Sequence, residues 1–394
     1  MSSERRNVAL LTACQAMLLT NNSTLIAING LAGLALAPNR SLATLPVTFW
    51  VLGGAVATMR ASLHMKRVGR RQGLTFGTLW GIAGALVCAG AIWLQDFWLL
   101  CIGALVFGVY NAFGQYYRFA AADAASVQFR PTAISLVLTG GLIGGVLGPT
   151  TSRLTIDLLP QRYLGAYLAL ILIALVTMAL LRFIRIPDPS AAEQQATGRP
   201  LATIARQPKF LVAVAGAAIG YGVMNFLMTS TPIAMGICGH PYGAAAFVIS
   251  SHVVGMYLPS FFTGRLIRRF GALPVMFAGA LLNAICVGVA LSGIAIPQFW
   301  FALVLLGVGW NFLFVGATTL LTTTYRPEER AKAQGANDSA IFVMMALSSF
   351  FSGLIVTNLG WNSVNYAALP LVVIIMAAIA WLARHDRGHR AAGA

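Results

Sequence analysis

The chain has 394 residues, of which 58% are hydrophobic and only 9% charged, and its formal net charge is +16. A soluble fold of this length has to cover its surface with polar groups that this composition does not supply, so soluble enzymes and soluble binding modules are excluded. The Lys and Arg residues lie mostly in short links, and in alternate links, between apolar runs of about 20 residues; this is the positive-inside pattern of a polytopic helical membrane protein, not a nucleic-acid footprint.

The runs predict twelve spans at 8–36, 45–65, 73–94, 97–119, 132–155, 163–184, 210–235, 242–267, 274–295, 298–321, 333–358 and 364–383. Arg5 and Arg6 stand before the first span with no small-residue cleavage site behind it, so it reads as a retained span and not a leader. The longest link, 185–209, holds "PDPSAAEQQATGRP" with Arg206 and Lys209. It divides the chain into a six-helix bundle at 1–184, a linker at 185–209 and a second six-helix bundle at 210–394. Basic residues cluster after spans two, four, eight, ten and twelve and around the central link. The opposite side has little beyond Arg40, Arg153 and Arg162, which predicts that both termini are cytoplasmic. Five cysteines show no paired spacing and predict no disulfide framework.

The halves echo each other. "KRVGRR" after span two matches "RRFGAL" after span eight; "YNAFGQ" in span four matches "WNFLFV" in span ten. Together the echoes predict one six-helix unit used twice. On these features the chain resembles the major facilitator superfamily over essentially its whole length. The resemblance implies an all-α major facilitator fold of 12 transmembrane helices in two six-helix bundles, working by alternating access, and a transporter in place of an enzyme. Lys66 and Arg268 stand where the superfamily's loop signature is usually acidic. In "GGLIGGVLGPT" of span five, Gly144, Gly148 and Pro149 resemble part of an antiporter motif without its later glycines; small residues also serve close helix packing.

Two pairs in the second half have a soft donor at i and i+4: Met224 and Met228 in span seven, His252 and Met256 in span eight. Such spacing puts both side chains on one helix face, and thioether with imidazole suits Cu(I). Chance alone yields roughly 0.4 Met pairs at this spacing in such a chain, so packing remains an alternative reading. Met235 and Cys238 extend the stripe toward the far end of span seven. The two pairs resemble the copper-importing, CcoA-type branch of the superfamily. That resemblance implies Met224, Met228, His252 and Met256 as ligands, with Cys238 and Met235 handing the ion in. It also implies copper import across a bacterial inner membrane, supplying cbb3-type cytochrome c oxidase maturation. The expected partners are then a transported copper ion, with a small chelator as an accompanying possibility, and the lipid bilayer; the expected state is a monomer with no bound cofactor. Riboflavin transporters of the same branch, and small organic solutes generally, are the alternative, with Tyr110, Tyr116, Tyr117, Tyr257 and Trp310 as stacking candidates.

Polar residues within spans are expensive unless they face protein or a cavity. Asn29, Asn111, Arg118, Asp123, Asn311 and Asp338 are therefore gating or cavity candidates, with helix-to-helix hydrogen bonding as the other reading. For Asp338 the readings are structural pairing, gating or proton coupling.

Overall fold

A computed structural model describes residues 3–39, 42, 45–186, 196 and 198–392, the side chains of 242 and 387–392 excepted. Arg40 of the basic-residue count and residues 187–195 and 197 of the central link lie outside the described residues, as do the side chains of Arg387 and Arg390. The chain forms two compact units, Met1–Ala196 and Thr197–Ala394.

In the first unit the helices are α1 (Ser3–Leu36), α2 (Leu45–Val68), α3 (Arg70–Leu94), α4 (Phe97–Gly114), α5 (Tyr117–Asp123), α6 (Arg130–Thr155) and α7 (Leu164–Leu181). In the second they are the short α8 (Leu201–Ala205), then α9 (Pro208–Ile237), α10 (Tyr242–Tyr257), α11 (Ser260–Phe270), α12 (Ala272–Leu291), α13 (Ile296–Leu321) and α14 (Arg330–Ala392). A break at Leu258 and Pro259 makes α10 and α11 one bent span, and Gly360, at φ 81 and ψ 177, divides α14 into two. Among the described residues nine helical segments are long and apolar enough to cross a membrane. One of them, Pro327–Asp386, contains the Gly360 break and so two spans. Helices α1 and α2 fall outside that group because Gln15, Asn21 and Asn22 interrupt one and Arg60 and His64 the other. The architecture is thus an all-α polytopic bundle of six helices used twice.

The echo between halves is written in the backbone. Gly69, at φ 86 and ψ 164, precedes α3, and Gly271, at φ 89 and ψ 164, precedes α12. Both are conformations that residues with a Cβ rarely adopt, so each basic turn keeps its central glycine while its flanking residues vary.

Small residues set the closest helix contacts. In α6, Gly140, Gly144 and Gly148 lie one turn apart against α1. A Cβ on Gly144 would come within 2.8 Å of the Thr20 backbone nitrogen, and one on Gly140 within 2.8 Å of that of Ala16. Thr24 Oγ1 then donates to the Gly148 carbonyl at 3.0 Å. The glycine-rich stretch therefore acts as a helix-packing surface in this unit. Outward faces stay apolar, with Leu172, Val146 and Trp93 all exposed, which suits a lipid environment.

Candidate functional site

In the first unit the polar stretch of α1 meets α4. Asn22 Nδ2 donates to Asn111 Oδ1 at 2.8 Å, and Gln115 Nε2 reaches the same oxygen at 3.4 Å. Arg118 Nη1 donates to the Gln115 carbonyl at 2.8 Å and to its Oε1 at 3.2 Å. Asn21 is fully buried, and neither atom of its carboxamide makes a close hydrogen bond. An amide left so in a bundle core costs free energy unless a water or a solute meets it. Asn29 Oδ1 accepts from the Tyr167 hydroxyl at 2.7 Å, so it ties α1 to α7. Asp123 accepts from Arg70 Nε at 2.9 Å, both side chains being nearly buried. Tyr110, Tyr116 and Tyr117 are buried to 1% exposure or less, and the Tyr116 hydroxyl is spent on the Thr58 carbonyl. These three rings offer no free face for a solute.

The second unit holds an aromatic cluster. Trp310 and Phe314, one turn apart on α13, lie nearly parallel with centroids 4.9 Å apart. Tyr221 of α9 meets both edge-on at 5.5 and 5.6 Å, and Tyr257 of α10 meets Trp310 edge-on at 5.8 Å. Trp310 is 1% exposed, yet its Nε1 lacks a hydrogen-bond partner. Tyr221 and Tyr257 are only half-buried. Beside Tyr221 on the next turn of α9, Asn225 Nδ2 donates to Ser348 Oγ at 2.9 Å. The group combines accessible π-faces with amide and hydroxyl groups, the chemistry that holds a flat polar heteroaromatic. Sequence reading named Trp310 and Tyr257 but not Tyr221 or Phe314. The signal available was their helical spacing: Trp310 and Phe314 at i and i+4, and Tyr221 one turn before Asn225.

The soft-donor residues have other work. Helix α10 packs chiefly on α13, not on α9. There His252 Nδ1 bonds the Leu303 carbonyl at 2.7 Å, and its Nε2 is buried without a hydrogen-bond partner. A Cβ on Gly307 of α13 would meet the Met256 nitrogen at 2.8 Å, so His252 and Met256 lie at a tight helix crossing. Met224 and Met235 are buried in α9, while Met228 and Cys238 are half-buried. Asn311 is consumed by the α10–α11 break: it donates to the Met256 carbonyl at 2.7 Å and to Ser260 Oγ, and accepts from Thr263 at 2.7 Å. Asp338, 1% exposed, accepts from Asn337 Nδ2 at 2.8 Å. Among the described residues no three His, Cys, Asp or Glu side chains converge as a metal would require.

One ion-pair network went unnoticed in the sequence. Arg199 grips Glu329 through Nε and Nη2, each at 2.7 Å, while the Arg199 and Arg326 amides donate to the same carboxylate. Lys332 Nζ donates to the Arg199 carbonyl at 3.0 Å. The paired Arg199 holds the Glu329 carboxyl down at about 2. This bidentate clasp fixes the chain entering the second unit to the turn before α14.

The family model described as Major Facilitator Superfamily matches residues 9–258 and 232–393. The chain is 39% identical over 380 residues to the riboflavin transporter RfnT of Brucella anthropi, covering 95% of each protein. It is 28% identical over 368 residues to the uncharacterized MFS-type transporter YddS of Bacillus subtilis, covering 88% of this chain and 84% of that one. The structure of the human organic anion transporter MFSD10 superposes with a TM-score of 0.79 at 14% identity, covering 96% of this chain and 100% of that one, which speaks for the fold alone.

These findings correct the copper reading. The relative matched along nearly the full length carries riboflavin in its name, not copper, and no group of three His, Cys, Asp or Glu side chains that could hold a metal is found among the described residues. The resemblance to the CcoA-type importers and the transported copper ion with its chelator are therefore set aside, and with them the cargo that Met224, Met228, His252, Met256, Cys238 and Met235 were expected to hold. The physical reason for the misreading is that donors at i and i+4 look alike whether a helix face meets a metal or a neighbouring helix, and Met fills either. What stands is a multi-pass membrane transport protein with no catalytic role: the chain belongs to the major facilitator superfamily.

Proposed function

We propose that the chain carries a small, flat, polar organic solute of the riboflavin type across a bacterial inner membrane, with both termini cytoplasmic. The observation that carries the reading is the 39% identity to a riboflavin transporter over 95% of both chains. The aromatic cluster of the second unit supports it, because Tyr221 and Tyr257 present half-buried rings over Trp310. The alternating basic links support the orientation. In the first unit Asn111 and Arg118 belong to the polar cluster we assign to the transport cavity. Asp123, held by Arg70, is the residue we assign to inner-gate closure, with Asp338 as its counterpart in the second half. Asn29 and Asn311 are assigned to holding the cavity helices in register.

The test is transport in liposomes carrying the purified chain, with labelled riboflavin, a sugar of similar hydroxyl content and copper measured side by side. Riboflavin movement above that of empty liposomes, with neither competitor moving, is the expected result. Sugar transport in place of riboflavin would overturn the flat-ring reading, and copper transport would reverse the correction above.

A further inference from the structure

Helices α2, α3 and α4 enclose a cleft of about 600 Å³ in the first unit that the transport reading does not use. Arg60, His64 and Arg67 line it from α2, Phe76 and Trp80 from α3, and Phe113 from α4. The first three stand at i, i+4 and i+7 and so share one helix face. The His64 ring lies 4.7 Å from Phe76 and 6.1 Å from Phe113, centroid to centroid. Deeper in, the walls turn aliphatic, with Leu52 and Val56 about half exposed.

Arg60 sets the problem. Helix α2 has 24 residues, so it is about 36 Å long, and Arg60 lies about 12 Å from its basic end. That places an exposed guanidinium inside the span, where an uncompensated charge is costly. Neither Arg60 nor Arg67 has an ion-pair or hydrogen-bond partner among the described residues. Snorkelling can carry the Arg60 head part of the way toward the basic surface, and there it approaches the level of His64 and Arg67. A phosphate at that height would meet two guanidinium groups, and a chain running deeper would meet only apolar side chains.

We infer that this cleft is a binding site for an anionic phospholipid of the leaflet on the basic side: Arg60 and Arg67 take the headgroup phosphate, His64 and the aromatic rings form the collar, and one acyl chain lies against Leu52 and Val56. The occupant follows from charge and shape together. The cations select an anion, the aliphatic floor selects a hydrocarbon tail, and the location on a membrane span selects a lipid over a soluble phosphate ester.

The experiment is native mass spectrometry of the full-length chain in detergent, titrated with phosphatidylglycerol and with phosphatidylcholine of the same acyl chains. Wild type is expected to prefer phosphatidylglycerol. Each arginine contributes roughly five-fold at a membrane surface, so R60Q/R67Q should lose about 25-fold in phosphatidylglycerol affinity with no change for phosphatidylcholine. The control R268Q/R269Q removes two basic residues from the other half and should lose far less. Arg60→Lys, which keeps the charge, should retain most of the affinity and serves if the glutamine variant fails to fold. Equal binding of the two lipids by wild type would overturn the proposal without any variant, as would equal losses in the two double variants. Displacement of the lipid by riboflavin would assign the cleft to solute instead.

Discussion

The side-chain amide of Asn311 donates to the main-chain carbonyl of Met256 at 2.7 Å, across the crossing of α13 and α10. An unbroken helix would give that carbonyl the amide of residue 260, but Pro259 ends α10 and a new helix starts at Ser260. Asn311 replaces the lost bond and also holds Ser260 Oγ and Thr263 Oγ1. Replacing Asn311 by Leu leaves a buried carbonyl and two hydroxyls without this partner, at a cost of about 1–3 kcal/mol. The thermal midpoint of N311L in detergent should fall clearly. Asn111→Leu, which strands chiefly the Asn22 amide, should fall less. Equal midpoints for N311L and wild type would remove the asparagine from the bend.

The same crossing bears on the methionines. Leu is close to Met in volume, and such exchanges in a core usually cost less than about 1.5 kcal/mol. A triple variant with Leu at 224, 228 and 256 should reach the membrane at normal levels and carry riboflavin within about two-fold of wild type. His252→Leu is different, since it removes a buried interhelical bond to the Leu303 carbonyl, and should lower the thermal midpoint more than the triple variant does. Loss of solute transport in a stable triple variant would restore a functional role to the thioethers.

Much of the fold was legible because bilayer chemistry writes it in long runs. Twenty apolar residues between charged links are hard to mistake, and the Gly69 and Gly271 turns preserved the repeat where flanking residues diverged. The split at Gly360 falls in the predicted link between spans eleven and twelve, whereas the bend at Pro259 was visible only as a proline inside one run, since a span can absorb it. The site was less legible. The MxxxM and HxxxM spacings report a shared helix face but not what covers it, and in α10 that cover is α13. The aromatic cluster comes from three separate helices, and nothing in a single run announces that Tyr221 reaches Trp310. Glu329 looked like one more charge in a link; its four donors come from Arg199 and Arg326, more than a hundred positions apart.

That clasp has a pH signature. Hydrogen bonding from Arg199 is the largest cause that holds the Glu329 carboxyl at about 2, against an ordinary value of 4.5. A carboxyl depressed in the folded chain stabilises it above the unfolded value and loses that contribution as pH falls through the folded one. Stability drawn from Glu329 is therefore full above about pH 4.5 and lost between there and about pH 2. Glu329→Gln should lower the thermal midpoint at neutral pH, by a loss on the order of 1.5–3 kcal/mol for charge-assisted bonds, and flatten the acid limb of the midpoint–pH curve. A variant that keeps the wild-type acid limb would show that other carboxyls govern it.

Tyr221 offers the sharpest test of the solute reading. Trp310 lies deeper, at 1% exposure, so removing it would empty core volume and confuse binding with folding. Tyr221 is half-buried and meets Trp310 and Phe314 only edge-on, which leaves ring surface available. Stacking of a flat heteroaromatic base on an aromatic side chain is worth about 1–3 kcal/mol by alanine substitution. Tyr221→Ala should therefore weaken riboflavin binding by roughly five- to 150-fold, measured by quenching of flavin fluorescence in detergent. Tyr221→Phe keeps the ring and should stay within about three-fold of wild type. If the phenylalanine variant weakens as much as the alanine one, the hydroxyl is the binding group and stacking is not. If neither changes affinity, the aromatic cluster of the second unit is structural and the ring-binding residues lie elsewhere in the chain.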